Sequence, residues 1–415
     1  MTANTKLYDD AQAIWSTSLE HVQPEHLLKS DLLRKQLREA IAPYDRVVIV
    51  GAGKAAAGMA AGLENLLGKH FLDTHHVSGL ISVPEGCSRS LRTIDVRETR
   101  PAGQNVPTQN VIRVTHEMLE TVSGLSSKDA VIALFTGGGS ALLTAPRPEF
   151  SLQDIVSETL RLSQSGATIS QLNASRTRMS LVKGGGLART CRAGVLIALV
   201  LSDVIGNDLQ VIASGPCISP TMQNGCWTTS SGCHVEHIVI GDNTTAVNAA
   251  TLRAHQLGYN VMPFDIPTEA DAEITGRFLS DAGREAVAAV KQTGQPHAII
   301  TGGESTVTVP SDHGLGGRNQ QTVLKAIDQT LKTNPTWPTN LLIASIGTDG
   351  EDGPTDAAGA VASPSCVNTI QKNNLDITTS LNTCDAYSLF KQAGALIHTG
   401  PTGTNVADLR IVLAR

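Results

Sequence analysis

Short unbroken apolar runs, each closed by glycine or small polar residues, punctuate the chain at 47–50, 130–135, 195–201, 237–240, 297–300 and 341–346. Runs without polar alternation suit strands covered on both faces, as in parallel sheets. Between them lie segments of helical length at 55–67, 152–165, 244–257 and 319–332. Earlier, Leu28, Leu32, Leu33, Leu37 and Ile41 recur at helical spacing until Pro43, so residues 7–41 are predicted to be helical. Strands alternating with helices predict an α/β protein built on parallel sheet. The stretch 218–235 is rich in Ser, Thr, Gly and Asn and lacks any period, and a fresh strand–helix–strand unit comes next at 237–264. The predicted domains are therefore 1–235 and 236–415, with a second weak point at 310–317.

The turns that close the predicted strands are the most informative segments. They read Gly51-Ala-Gly-Lys54, Thr136-Gly-Gly-Gly-Ser140, Ser202-Asp203, Gly241-Asp-Asn243, Thr301-Gly-Gly-Glu-Ser305 and Gly347-Thr-Asp-Gly350. Open α/β sheets bind ligands at the carboxyl ends of their strands. Small residues gathered at so many of those ends predict a site for an anion.

Charge and composition narrow the partners. Over 415 residues the formal charge is −6, with 41% hydrophobic and 17% charged residues. That balance argues against nucleic acid or an anionic membrane, which call for a basic face. A small anion needs only a few local cations. Seven cysteines are scattered without a CxxC pair; Cys226 and Cys233 near His234 and His237 form the one cluster, read as a polar loop in preference to a metal site. The opening MTANTKLYDD lacks a signal-peptide pattern, and the longest uncharged apolar run, 193–201, is about half a membrane span. A soluble, cytoplasmic protein is expected.

Several motifs carry two readings. GAGKAAAG at 51–58 fits a relaxed dinucleotide fingerprint, with Glu85 as the acid that such a site needs, or a tight turn packed on the sheet. A cation at Lys54, predicted in the first helical turn, opposes the helix dipole unless an anion sits there. It is not a Walker loop, because Val48 and Ala55 replace the required Gly and Ser/Thr. Gly137-Gly138-Gly139-Ser140 suits backbone N–H groups around an oxyanion better than a nucleophile elbow, since Leu142 stands where the elbow needs Gly. Arg176, Arg178 and Lys183 form either a solvated face or part of a local positive field. Asp203, Asp208, Asp349, Glu351 and Asp352 are candidate Mg2+ ligands, bases or plain turn caps. Arg318, after Gly316-Gly317, repeats the pattern of a cation at a predicted helix start.

Taken in order, Gly51-Ala-Gly-Lys-Ala, Gly137-Gly-Gly-Ser-Ala-Leu, Lys183-Gly-Gly, Ser202-Asp-Val-Ile-Gly, Ala213-Ser-Gly-Pro, Gly302-Gly-Glu, Gly316-Gly-Arg-Asn-Gln, Gly347-Thr-Asp-Gly-Glu-Asp-Gly-Pro and Gly400-Pro-Thr-Gly-Thr-Asn-Val-Ala-Asp-Leu make the chain resemble the glycerate 2-kinases of the MOFRL family, from about residue 8 onward. The resemblance implies two domains. One is an N-terminal Rossmann-like parallel sheet with helices on both faces, the other a smaller α/β MOFRL domain, with the active site in the cleft between them. It implies transfer of the ATP γ-phosphoryl, with Mg2+, to the 2-hydroxyl of D-glycerate, and a homodimer is expected. By resemblance Lys54 and Arg318 are the active-site cations, and the strand-end Asp203 is the first candidate for catalytic base. Gly51, Gly53, Gly137, Gly138, Gly139, Ser140, Gly302, Gly303 and Glu304 would hold the nucleotide. Arg176, Lys183 and Asn319 would hold the acceptor, and Asp203, Asp349 and Asp352 the metal. The chain departs from the family pattern at Thr99-Arg100-Pro101, at Arg176-Thr-Arg-Met-Ser180, at Gly206-Asn207-Asp208, and in a shorter 217–236 segment. These departures bear on which hydroxy acid is the acceptor. The alternatives are a kinase of a related hydroxy acid, an NAD(P)-dependent hydroxypyruvate reductase, and a non-catalytic anion sensor.

Overall fold

The computed structural model describes residues 3–104, 106–165 and 169–415, and its contacts divide into two compact units. The first unit comprises Gln23–Asp242 with Gly403–Asn405. Its sheet contains β1 (Arg46–Ala52), β2 (Ser78–Pro84), β3 (Ile94–Arg100), β4 (Asp129–Phe135), β5 (Val195–Leu201), β6 (Cys226–Thr228) and β7 (His234–Gly241). The spatial order is β3-β2-β1-β4-β5-β7-β6, parallel throughout except for the β6/β7 pair. The chain runs outward from β1 to β3 and then returns to β4 on the other side of β1. That reversal opens a crevice at the carboxyl ends of β1 and β4, where this architecture takes ligands.

Strand β5, and β4 after its opening Asp129, are apolar, and both strands are buried along their full length, as unbroken apolar runs require. Helices cover both faces of the sheet. Strands β2 and β3 escaped the hydrophobic pattern. IDVRETR at β3 alternates charge with Ile and Val because it is an edge, half open to water.

The second unit comprises the chain up to Val22, Asn243–Thr402 and Val406–Arg415. Its strands are β8 (Asn260–Val261), β9 (His297–Gly303), β10 (Leu341–Gly347), β11 (Gly359–Ala362), β12 (Leu396–Ile397) and β13 (Asp408–Ala414), in the order β12-β11-β10-β13-β9-β8. Here the expectation of parallel sheet is corrected. The C-terminal β13 inserts between β9 and β10 and runs antiparallel to both. The register places Asp408 opposite Gly303 on one side and Gly347 on the other, at the carboxyl ends of β9 and β10.

The units also divide differently from the predicted 235/236 boundary. That point falls inside β7, whose residues pair with β5 from His234 to Gly241. The opening helix Ala3–His21 belongs with the second unit: Leu7, Ile14 and Trp15 enter its core, and Asp10 accepts a hydrogen bond from Tyr259 Oη at 2.9 Å.

Candidate active site

The two turns at the crevice of the first unit lock together. Lys54 N donates to Gly137 O at 2.9 Å, and Gly53 N to Ser82 O at 3.2 Å. Gly51 and Gly53 are required by this packing: a Cβ would sit 2.4 Å from Leu134 O in one case and 2.3 Å from Thr136 Cγ2 in the other. The glycines that gave the dinucleotide fingerprint are therefore accounted for by the approach of β1 to β4. Lys54 precedes the helix Ala56–Thr74 instead of entering its first turn, and no side chain caps that helix.

The second turn is the more open one. Among the described residues the N–H groups of Gly137 and Gly138 have no hydrogen-bond partner. Thr136 Oγ1 is buried without one as well. Gly138 has φ +77°, and a Cβ there would lie 3.3 Å from Arg100 Nη2 and 3.6 Å from Lys54 Cγ. A Cβ on Gly137 would lie 2.5 Å from Asp203 Oδ2 and 2.7 Å from Asn405 Nδ2. Asn405 donates to that same Asp203 oxygen at 3.3 Å. Lys54, Arg100, Asp203 and Asn405 thus gather around one glycine turn.

Below the turn lies a buried polar chain. Lys183, only 3% exposed, donates to Ser140 O at 2.6 Å and to Ser140 Oγ at 3.0 Å. Ser140 Oγ shares a hydrogen bond of 2.8 Å with Ser214 Oγ, which donates to Asn173 Oδ1 at 2.9 Å. Arg176 Nη1 reaches the same amide oxygen at 3.4 Å. Lys183 is fixed by its backbone neighbours, since Gly184 N bonds Ser214 O at 3.0 Å and Gly185 N bonds Gly215 O at 2.6 Å. Ala213 and Ser214 hold φ +51° and +60°, a left-handed conformation that costs about 1–3 kcal/mol per residue and gathers at functional sites. Neither Lys183 nor Arg176 pairs with a carboxylate among the described residues. Burial, with Arg176 beside it, pushes the Lys183 ammonium well below its ordinary pKa. Arg178, by contrast, is exposed and sits 5.5 Å from the Phe150 ring centroid, on the solvated face.

The second unit carries the other predicted cation in a different setting. Arg318 forms a bidentate pair with Asp408, Nε to Oδ2 at 2.7 Å and Nη2 to Oδ1 at 2.9 Å, and reaches Glu304 at 3.1 Å. Burial works against its charge, but Asp408, Glu304 and Asp352 outweigh burial and raise its pKa above the ordinary value. Asp352 caps the helix Arg318–Thr333, accepting from Asn319 N at 3.0 Å and Gln320 N at 2.8 Å. The anion that a cation at this helix start called for is supplied by the fold itself. Asn319 donates to Asp408 Oδ1 at 3.0 Å and accepts from Ser345 Oγ at 2.6 Å, so it braces this cluster.

Asp352 therefore has a structural task where a metal ligand was expected. Burial pushes its pKa up to about 6 despite its two backbone donors. The folded protein then holds this proton more tightly than the unfolded chain, whose ordinary carboxyl pKa is about 4. The group's contribution to stability is full below about pH 4 and is lost as pH rises through about 6. An Asp352→Asn variant is expected to flatten the melting temperature between pH 4 and 6 relative to the parent. Asp352→Ala, which orphans two buried N–H groups, is expected to cost about 2–3 kcal/mol in denaturant unfolding.

The turn at 302–304 also differs from the expected phosphate cradle. Gly302 and Gly303 lie in β9, where a Cβ would meet Asn243 Oδ1 at 1.7 Å and Thr268 O at 2.3 Å, and Glu304 N bonds Thr268 O at 2.7 Å. Close packing explains these glycines. Asp349 Oδ1 accepts from Glu351 N at 3.1 Å, and Asp208 Oδ1 from Gln210 N at 2.9 Å, as turn carboxylates do. His237 bonds Gly225 O, and Cys233 packs 4.0 Å from Cys191. Among the described residues no group of three His, Cys, Asp or Glu is placed to hold a metal ion. Nor is any described helix long and apolar enough to cross a membrane.

Sequence reasoning named Lys54, Gly137–Ser140, Arg176, Lys183 and Asp203, and the structure brings these into the first unit's crevice. It missed Asn173, Ser214, Asn405 and Asp408, and treated Arg100 only as a departure. Ser214, Asn405 and Asp408 stood inside quoted motifs, so their signal was present without an assigned role.

A Rossmann-like unit with an open glycine turn among cations, joined to a mixed α/β unit, defines a class that handles small anionic metabolites. Residues 10–240 match a domain described as a domain of unknown function (DUF4147), and residues 297–408 match the MOFRL family. The chain is 35% identical to the D-glycerate 2-kinase of Thermotoga maritima, over 95% of each chain. It is 31% identical to the glycerate kinase of Rattus norvegicus, over 100% of this chain and 94% of that one. The crystal structure of Thermotoga maritima glycerate kinase superposes with a TM-score of 0.83 at 34% identity, covering 99% of this chain and 100% of that one. A protein of Agrobacterium vitis named putative hydroxypyruvate reductase is 32% identical over 89% of this chain and 88% of its own. The chain belongs to the glycerate kinase family with paired DUF4147 and MOFRL domains.

Proposed function

We propose that this chain transfers the γ-phosphoryl group of ATP to the 2-hydroxyl of D-glycerate, giving 2-phospho-D-glycerate and ADP. The observation that carries this reading is the crevice of the first unit. The half-buried cation Arg176, which has no carboxylate partner among the described residues, stands with the buried Lys183 beside a glycine turn whose N–H groups are open. A cation taken out of water without a counter-charge is costly, and an anionic ligand offsets that cost. Phosphoryl transfer asks mainly for positioning and charge stabilisation, which these groups supply. Gly137 and Gly138 would hold phosphate oxygens through their N–H groups, with Lys54 and Arg100 beside them. Arg176 would draw the acceptor carboxylate. Asp203, oriented by Asn405, would take the proton of the acceptor hydroxyl or hold Mg2+. Mg2+ is commonly bound by one or two carboxylates together with substrate phosphates, and Asp203 fits that pattern. When bound, the ion would neutralise charge on the β- and γ-phosphate oxygens. Arg318, held by Asp408 within the second unit, is carried as an active-site cation by family resemblance. A cytoplasmic location and a homodimer belong to this reading through family resemblance.

ADP release that requires both ATP and D-glycerate tests the proposal. NADH oxidation with hydroxypyruvate and no ATP requirement would replace it with the reductase reading. Gly137→Ala is expected to lower kcat about 100-fold or more, because the added methyl displaces the Asp203 carboxylate. Single-turnover rates beside a melting curve check this, and an unchanged rate would remove Asp203 from the chemistry.

A further inference from the structure

The turn at Ser140 lacks the second glycine of a nucleophile elbow, but the fold supplies what the motif lacks. Ser140 is partly exposed, and its Oγ lies 3.0 Å from Lys183 Nζ and 2.8 Å from Ser214 Oγ. Lys183 is anchored by Ser140 O at 2.6 Å. When Ser214 gives its single proton to Ser140 Oγ instead of Asn173 Oδ1, the Ser140 proton is left to face Lys183. A hydroxyl within reach of a base that a third group holds in place is the arrangement of nucleophilic serine sites, including those with lysine as base. Burial, and then the facing charge of Arg176, disfavour a positive charge on Lys183 and so favour the free amine that a base needs.

We propose that Ser140, with Lys183 as its base, is a nucleophilic centre that accepts acyl groups from small activated esters of anionic acids. Ser140 Oγ attacks the ester carbonyl carbon, the Oγ–C bond forms, and the hydroxyl proton passes to Lys183 Nζ. The tetrahedral adduct collapses as the C–O bond to the alcohol breaks, and Lys183 returns the proton to the departing alkoxide. Water then releases the acid by the same route. Arg176 selects an ester whose acid part carries negative charge.

The test is covalent labelling with an alkyl fluorophosphonate. In that reaction the Oγ–P bond forms, the P–F bond breaks, fluoride leaves and Lys183 takes the proton. The expected result is one adduct per folded chain, mapped by peptide mass to Ser140 and absent from heat-unfolded protein and from Ser140→Ala. Lys183→Met and Lys183→Arg, the latter filling the site without offering a base, should each label at least about 100-fold more slowly. No adduct on folded parent protein, an adduct at another residue, or parent-like labelling in either Lys183 variant that folds would overturn the proposal. The readout is mass and requires no kinase assay, so its failure leaves the phosphoryl-transfer reading intact.

Discussion

Lys54→Ala is expected to lower kcat/KM by about 1,000-fold while leaving the melting temperature nearly unchanged. The side chain stands at the junction of the two glycine turns, with its Cγ 3.6 Å from where a Cβ on Gly138 would be. A cation at that place acts on charge that develops in transfer, and removing one preorganised group of this kind costs about 100- to 1,000-fold or more. Its role in stability is small. It precedes a helix whose start has no side-chain cap, and a cation near a helix N-terminus is unfavourable by about 0.3–1 kcal/mol. The backbone bond from Lys54 N to Gly137 O survives the substitution. Steady-state kinetics and calorimetry on the same sample separate the two effects. Near-parent turnover would remove Lys54 from the site, and a collapsed melting temperature would make it structural.

Arg318→Met is expected to injure stability as well as activity. Asp408 is 1% exposed and would lose its bidentate partner, keeping among the described residues only Asn319 as a donor. Stranding a buried carboxylate costs about 3–5 kcal/mol. The Arg318 side chain is about one-third open to water, which discounts the loss to about 2–4 kcal/mol. Adding Asp408→Asn to Arg318→Met should return part of that stability, because the charge that had been stranded is gone, but it should return no activity. Urea unfolding of the single and double variants measures this. Equal stability of parent and Arg318→Met would mean that the pair contributes nothing to the fold.

Much of the first unit could be read from the chain because its central strands are apolar on both faces, and β1, β4, β5 and β7 all lie where the runs predicted strands. The site there was legible for the same reason: in a parallel sheet the ligand end of each strand is the end that runs into glycine and small polar residues. The second unit was less legible. Strand β13, DLRIVLA, carries a charged residue in its middle, and Arg410 is buried at 1% because it donates to Pro267 O, Gly302 O and Ser305 Oγ. A buried arginine satisfied by distant carbonyls leaves no local pattern. Arg318 shows the same limit. Its position at a helix start was correctly found, yet the carboxylates that answer it, Asp352 and Asp408, lie far along the sequence. The role of Gly302 as a packing glycine depends on Asn243, which sequence spacing cannot reveal.

The most direct test of the central claim is an assay of Mg-ATP and D-glycerate with enolase as the coupling enzyme and no phosphoglycerate mutase. Enolase consumes the 2-phosphate directly, so the account predicts immediate enolase-dependent signal that matches ADP release one for one. ADP release that depends on glycerate but gives no signal until mutase is added would place the phosphate on the 3-hydroxyl. No glycerate-dependent ADP at all would contradict the account at its base.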